Sequence, residues 1–97
     1  MKIETTKNDS NATITVSGRL DTVTSPELEK ELQSLAQIDS LVIDCADLEY
    51  ISSAGLRVFL SAHKEFSKKG GLTITNVSEA VMDIFEVTGF DQILNLK

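Results

Sequence analysis

Apolar and polar residues alternate with period two along Ala12-Thr13-Ile14-Thr15-Val16-Ser17-Gly18, which predicts a strand with one buried and one open face. Residues 2–7 predict a partner strand, and Asn8-Asp9-Ser10-Asn11 between them has hairpin-turn composition. Beyond Arg19-Leu20-Asp21-Thr22-Val23 the period changes. Leu28, Leu32 and Leu35 fall on one face of a helix that opens near Pro26, a residue suited to the first turn because its missing N–H would be unpaired there. Thr24 or Ser25 can cap that helix, and Thr24 with Glu27 has capping-box spacing.

Residues 41–45 form a short continuous apolar run, which predicts a central strand. A loop with two serines follows. Leu56, Phe59, Leu60, His63 and Phe66 then mark the buried stripe of a second helix, with Gly70-Gly71 as its left-handed stop. Leu72-Thr73-Ile74-Thr75 predicts a further strand. Ser78 is placed to cap a third helix, with Val81, Ile84 and Phe85 inward, Val87 as a further inward candidate, and closure near Gly89. Phe90, Ile93 and Leu94 are expected to pack a short terminal segment on the core. The order β-β-α-β-α-β-α predicts an α/β domain. Its sheet is mixed and four- to five-stranded, mostly parallel with an N-terminal antiparallel hairpin, packed with three to four helices.

Composition narrows the possible partners. Ninety-seven residues make a single domain, 1–97, large enough to bury roughly 60–70% of its unfolded surface without staples. A net charge of −6 disfavours nucleic acid and anionic membranes, which need a basic footprint. The small basic cluster Lys64, Lys68, Lys69 suits a helix C-terminus. The single Cys45 cannot form an internal disulfide. No apolar h-region opens the chain and no run is long enough to span a membrane, so the expectation is a soluble, cytoplasmic protein without membrane insertion.

Catalytic groups are scarce. The one histidine, His63, follows Ser53 by ten residues, about 15 Å along a helix, too far to serve as its base. It is expected instead at the edge of the core with its ring nitrogen satisfied. A nucleophile elbow fails because Ile51 stands where its first glycine belongs. One Cys and one His give no metal-ligand spacing, and neither glycine-rich nucleotide-loop pattern occurs, so no metal, cofactor or catalytic residue is expected. Asp21, Asp44 and Asp47 can gather at strand ends or serve separately in turns and caps. Ser52 or Ser53 can cap the second helix, its oxygen accepting a first-turn N–H. A hydroxyl there can also carry a phosphate, since a helix start favours negative charge.

Three matches make the chain resemble the STAS domains, specifically the bacterial anti-sigma factor antagonists (anti-anti-sigma factors). Gly18-Arg19-Leu20-Asp21 matches the family's Gly-x-Leu-Asp after the second strand, and Asp44 matches its Asp after the third. Ser52-Ser53-Ala54-Gly55-Leu56 matches its Asp-Ser-x-Gly-Leu signature, with Ser52 where the family usually carries Asp. The resemblance implies a protein-binding switch in transcription regulation rather than an enzyme. Its partners would be an anti-sigma factor serine kinase of GHKL type, bound by the unmodified form so that a sigma factor is freed, and a resetting serine phosphatase of PP2C type. It implies Ser53 as phosphoacceptor, with Ser52 the second choice, and a partner surface of Asp21, Ser52, Ser53, Gly55, Leu56 and Arg57. Two rivals stay open: an unphosphorylated STAS subunit or scaffold of a transport or stress-signalling complex, and, more distantly, a hydrolase.

Overall fold

A computed structural model describes all 97 residues. Strands β1 (Lys2–Asn8), β2 (Asn11–Leu20), β3 (Ser40–Ile51) and β4 (Gly71–Thr75) lie in one sheet in chain order. β1 runs antiparallel to β2, and the β2–β3 and β3–β4 pairs are parallel. Helices α1 (Ser25–Gln33) and α2 (Ser53–Phe66) make the two crossovers, and α3 (Glu79–Thr88) with a 3-10 turn at Phe90–Gln92 completes the chain. The mixed sheet with an N-terminal hairpin is the one the periodicity predicts. Beyond β4 the chain returns to its edge, where the Ile74 N–H donates to the Asn95 carbonyl at 2.9 Å.

Both crossovers step the same way across the sheet, and parallel crossovers are right-handed, so α1 and α2 fall on one face. The burial pattern agrees. Ala12, Ile14 and Val16 of β2, with Leu41, Ile43 and Cys45 of β3, are buried, while Thr13 is exposed and Thr15, Val42 and Asp44 are half-exposed. β3 is central in the sheet, as expected, but covered on one face only.

Leu28, Leu32 and Leu35 reach the core from α1 and the turn after it; Leu56, Phe59 and Phe66 reach it from α2; Val81 and Phe85 reach it from α3. The rings of Phe59 and Phe85 meet at 6.2 Å, tying α2 to α3. Leu94 is buried and Phe90 half-buried, whereas Ile93 is 46% exposed. Val87 points into solvent, since the 3.6-residue period leaves it off the stripe through Val81 and Phe85.

β3 does not stop at Cys45; it continues to Ile51, and the first part of the expected serine loop is strand. The pairing with β2 slips twice, from Thr15–Asp44 to Ser17–Asp47 and from Gly18–Leu48 to Arg19–Tyr50, β3 carrying one extra residue each time. Such bulges break period two. Core-facing positions fall at Cys45, Leu48 and Ile51, three apart, a spacing that imitates a loop in the sequence.

Helix ends differ from expectation in two places. α2 ends at Phe66, four residues before Gly70, and the positive φ of Gly71 starts β4 rather than capping the helix. Thr24 occupies the N-cap position of α1, but its side chain caps nothing there and no capping box with Glu27 forms. At α3 the expectations hold: the Ser78 hydroxyl accepts the Val81 N–H at 3.3 Å, and Gly89 closes the helix at φ +80°. The basic cluster lies at the end of α2 and just past it, with Lys69 Nζ 4.5 Å over the Phe66 ring and 3.0 Å from the Ala36 carbonyl.

Candidate functional site

The junction of β3 with α2 lies beside the end of β2. Leu20 pairs with Ile51 in register, and the Ser52 N–H donates to the Leu20 carbonyl at 2.9 Å, which sets Asp21 next to the serines. Ser52 is the last extended residue, at φ −95° and ψ 177°, and Ser53 is the first residue of α2. That one-residue difference sends the two hydroxyls different ways. Ser53 is exposed, whereas the Ser52 hydroxyl is buried without any hydrogen-bond partner. Ser52 therefore holds the cap position but makes no cap bond, and the helix start keeps its positive dipole end free of a side-chain acceptor.

Gly55 explains how α2 approaches so closely. A Cβ built on it would stand 2.7 Å from Ile51 Cγ1 and 2.8 Å from Leu20 Cγ, inside any normal contact. Gly55 and Leu56 are buried toward the sheet and support the surface from beneath. Arg57 is exposed, as the helical period requires. It shares with Ala54, Thr22, Ser25 and Pro26 an open groove of about 370 Å³ between the starts of α1 and α2.

The β2–α1 loop is held by its own side chains. Asp21 Oδ1 accepts the N–H groups of Val23 and Thr24 at 3.0 and 3.1 Å. The Thr24 hydroxyl accepts the Asp21 N–H at 2.9 Å and donates to the Arg19 carbonyl at 2.7 Å. The Thr24 N–H is the main reason the Asp21 carboxyl sits below its ordinary value, with partial desolvation opposing and the Thr24 hydroxyl, the Val23 N–H and the Arg19 charge adding to the shift. Behind this loop the Arg19 guanidinium stacks 4.3 Å over the Tyr50 ring.

Sequence reasoning named Asp21 but missed Thr24 as the residue that closes its loop and missed the Arg19–Tyr50 stack. The Asp-x-x-Thr spacing was the available signal for the first. The second needed the slipped register and had none.

Asp21, Ser52, Ser53 and Arg57 thus converge at one end of the sheet. Asp44 and Asp47 do not join them. Asp44 Oδ1 accepts from the Ala46 N–H at 3.0 Å and from Asn76 Nδ2 at 3.1 Å, well down β3 from Ile51. His63 shares a helix with Ser53 and sits about 15 Å along it. Its Nδ1 is buried without a partner, contrary to the satisfied nitrogen expected, because it faces the packed side of α2, where no donor or acceptor reaches it.

A family model described as the STAS domain matches residues 2–97. The chain belongs to the STAS domain family. It is 30% identical over 98 residues to the anti-sigma-B factor antagonist of Bacillus subtilis (strain 168), a match covering 99% of this chain and 90% of that one. The solved structure of an anti-sigma factor antagonist from Mycobacterium paratuberculosis, 26% identical, superimposes with a TM-score of 0.87 over 98% of this chain and 83% of that one. The anti-sigma factor antagonist SpoIIAA in its unphosphorylated form shares the fold, with a TM-score of 0.83 at 15% identity over 99% of this chain and 88% of that one. No helix of this STAS domain is long and apolar enough to cross a membrane.

Proposed function

We propose that this STAS domain is an anti-sigma factor antagonist, a binding protein whose grip on an anti-sigma factor serine kinase is switched by phosphorylation of Ser53. The observation that carries the reading is the contrast between the two serines. Ser53 alone offers an exposed hydroxyl at the start of α2, beside the Asp21 loop, while the Ser52 hydroxyl is buried. Relatives named as anti-sigma factor antagonists over nearly the whole chain supply the class of partner.

The physics suits a switch. A phosphate at Ser53 adds roughly −1.5 to −2 charges at a helix start, where the dipole accepts them and the core is untouched. The same charge buried unpaired in an interface costs about 2–5 kcal/mol, and about 2.7 kcal/mol is already a hundredfold in affinity. The domain keeps its fold and loses its partner. A PP2C-type serine phosphatase would restore binding.

Incubation with an anti-sigma factor serine kinase of the same genome and ATP should add one phosphate, located at Ser53 by fragment mass spectrometry. Ser53→Ala should stay bound to that kinase in the presence of ATP, and Ser53→Asp should bind weakly. A phosphate on Ser52 refutes the assignment to Ser53, and none with a kinase active on its own substrate refutes the switch and favours an unphosphorylated scaffold.

A further inference from the structure

Three large aliphatic side chains stand in solvent: Val23 at 83% exposure, Val87 at 88% and Ile93 at 46%. Single exposed aliphatics are ordinary, so exposure alone decides nothing. Val23 differs in the backbone beneath it. Its own N–H and that of Thr24 are tied to Asp21 Oδ1, the Thr24 hydroxyl ties the loop back to Arg19, and the Ser25 N–H donates to the Asp21 carbonyl at 2.8 Å. These bonds hold a β-branched side chain, stiff at χ1, away from the surface with little of it covered. It is also next in sequence to Thr22, which lines the groove shared with Arg57.

We propose that Val23 is the apolar anchor of the partner surface, seated in an apolar pocket of the anti-sigma factor, and that Asp21 is a positioning residue that acts through Val23 rather than through its charge. The inference rests on the functional reading above and deepens it. A rigid loop loses little freedom on binding, so the burial of Val23 is retained as affinity. An anchor without charge also complements the switch: Val23 supplies grip that phosphorylation leaves intact, and Ser53 decides whether that grip suffices. The Asp21 geometry points the same way. Its loop bonds, to the Val23 N–H, the Thr24 N–H and the Thr24 hydroxyl, all use Oδ1. An amide oxygen at that place would accept the same bonds without the charge.

The test is calorimetric titration of the anti-sigma factor serine kinase with wild type, Val23→Thr, Asp21→Asn, Asp21→Ala and the Asp21→Ala/Val23→Thr double variant, each with a melting curve. Val23→Thr keeps the shape and should bind about tenfold more weakly, with melting unchanged because the residue is exposed. Asp21→Asn should bind within about twofold of wild type, Asp21→Ala should lose about as much as Val23→Thr, and the double variant should be little worse than either, the signature of one shared contact. Wild-type affinity in Val23→Thr, or Asp21→Asn as weak as Asp21→Ala, overturns the inference while leaving the functional reading in place. Wild type that binds none of the genome's anti-sigma factor kinases overturns that reading, and this inference with it.

Discussion

Replacing Gly55 by alanine tests whether the seat of α2 is set by the absence of one carbon. In a solvated helix interior this exchange stabilises by up to about 1 kcal/mol, because glycine is the poorer helix former. Here the added Cβ would lie 2.7 Å from Ile51 Cγ1 and 2.8 and 3.0 Å from Leu20 Cγ and Cδ2. Neither neighbour has room to yield, since Leu20 and Ile51 are 0% and 1% exposed. Overpacking of this kind costs about 1–3 kcal/mol, which exceeds the propensity gain at a first-turn position and leaves a net loss of about 1–2 kcal/mol. For a domain this small, that loss lowers Tm by on the order of 10 °C. Denaturant and thermal melts of the purified protein measure it. In a Leu20→Ala background two of the three contacts disappear, so the same exchange should cost visibly less there, a coupling that a double-mutant cycle resolves. A Gly55→Ala protein that melts at or above the wild-type temperature refutes the close-approach argument.

Ser52→Ala removes a buried hydroxyl that bonds to nothing, so it should be neutral or mildly stabilising in a melt, where a working cap would lose about 1 kcal/mol. Ser78→Ala is the matched control and should show that loss, because its hydroxyl does accept the Val81 N–H. Burial, with the Asp44 charge adding to it, raises the Cys45 thiol to about 12, so the native protein should resist thiol reagents at pH 8 and react only on unfolding. Because the folded value lies above the unfolded one, that thiol favours folding below pH 9; the contribution fades as pH rises from about 9 to about 12, and Cys45→Ala should flatten the alkaline part of the stability curve. Asp21 has the opposite sign: its carboxyl is depressed below 3.8, so the loop bonds persist above that value and weaken as pH falls through the folded one. Amide shifts of Val23 and Thr24 should report that titration, and Asp21→Asn should abolish it.

The elements were legible because most of them keep a single period. Ile14 and Val16 alternate against Thr13 and Thr15, Leu28 and Leu32 recur at helical spacing, and Ser78 and Gly89 bracket α3 with ordinary capping chemistry. Illegible stretches were those where two residues of one strand face one of the next. Leu48 and Ile51 are core positions three apart, and nothing local in Ala46-Asp47-Leu48-Glu49-Tyr50 says that β3 bulges there against β2. The site was readable as a set of neighbours, Asp21 with Ser52, Ser53 and Arg57, because both segments end adjacent strands. Roles within it were less so: whether Thr24 caps a helix or clasps a loop is settled by the path of the chain back to the Arg19 carbonyl.

The same slip gives the two chemically identical hydroxyls different surroundings, which is the ground for proposing Ser53 over Ser52 as acceptor. β3 must deliver Ile51 to the core, so the following residue leaves the sheet extended, with its N–H on the Leu20 carbonyl and its side chain turned into the packed junction. A phosphate on Ser52 would have to fit nearly two charges and three added oxygens into that packed junction, a desolvation cost that opposes folding itself. One residue later the chain has entered the helix, the hydroxyl faces water, and the dipole contributes about 0.3–1 kcal/mol in favour of the charge. A kinase acting on the folded domain meets one reachable hydroxyl, and the absence of the family's usual aspartate at position 52 does not create a second. Ser52→Asp puts the family's usual carboxylate at the N-cap of α2, where it can accept a first-turn N–H, and should melt no lower than wild type. A Ser52→Asp protein that melts well below wild type would show that the carboxylate cannot reach those amides.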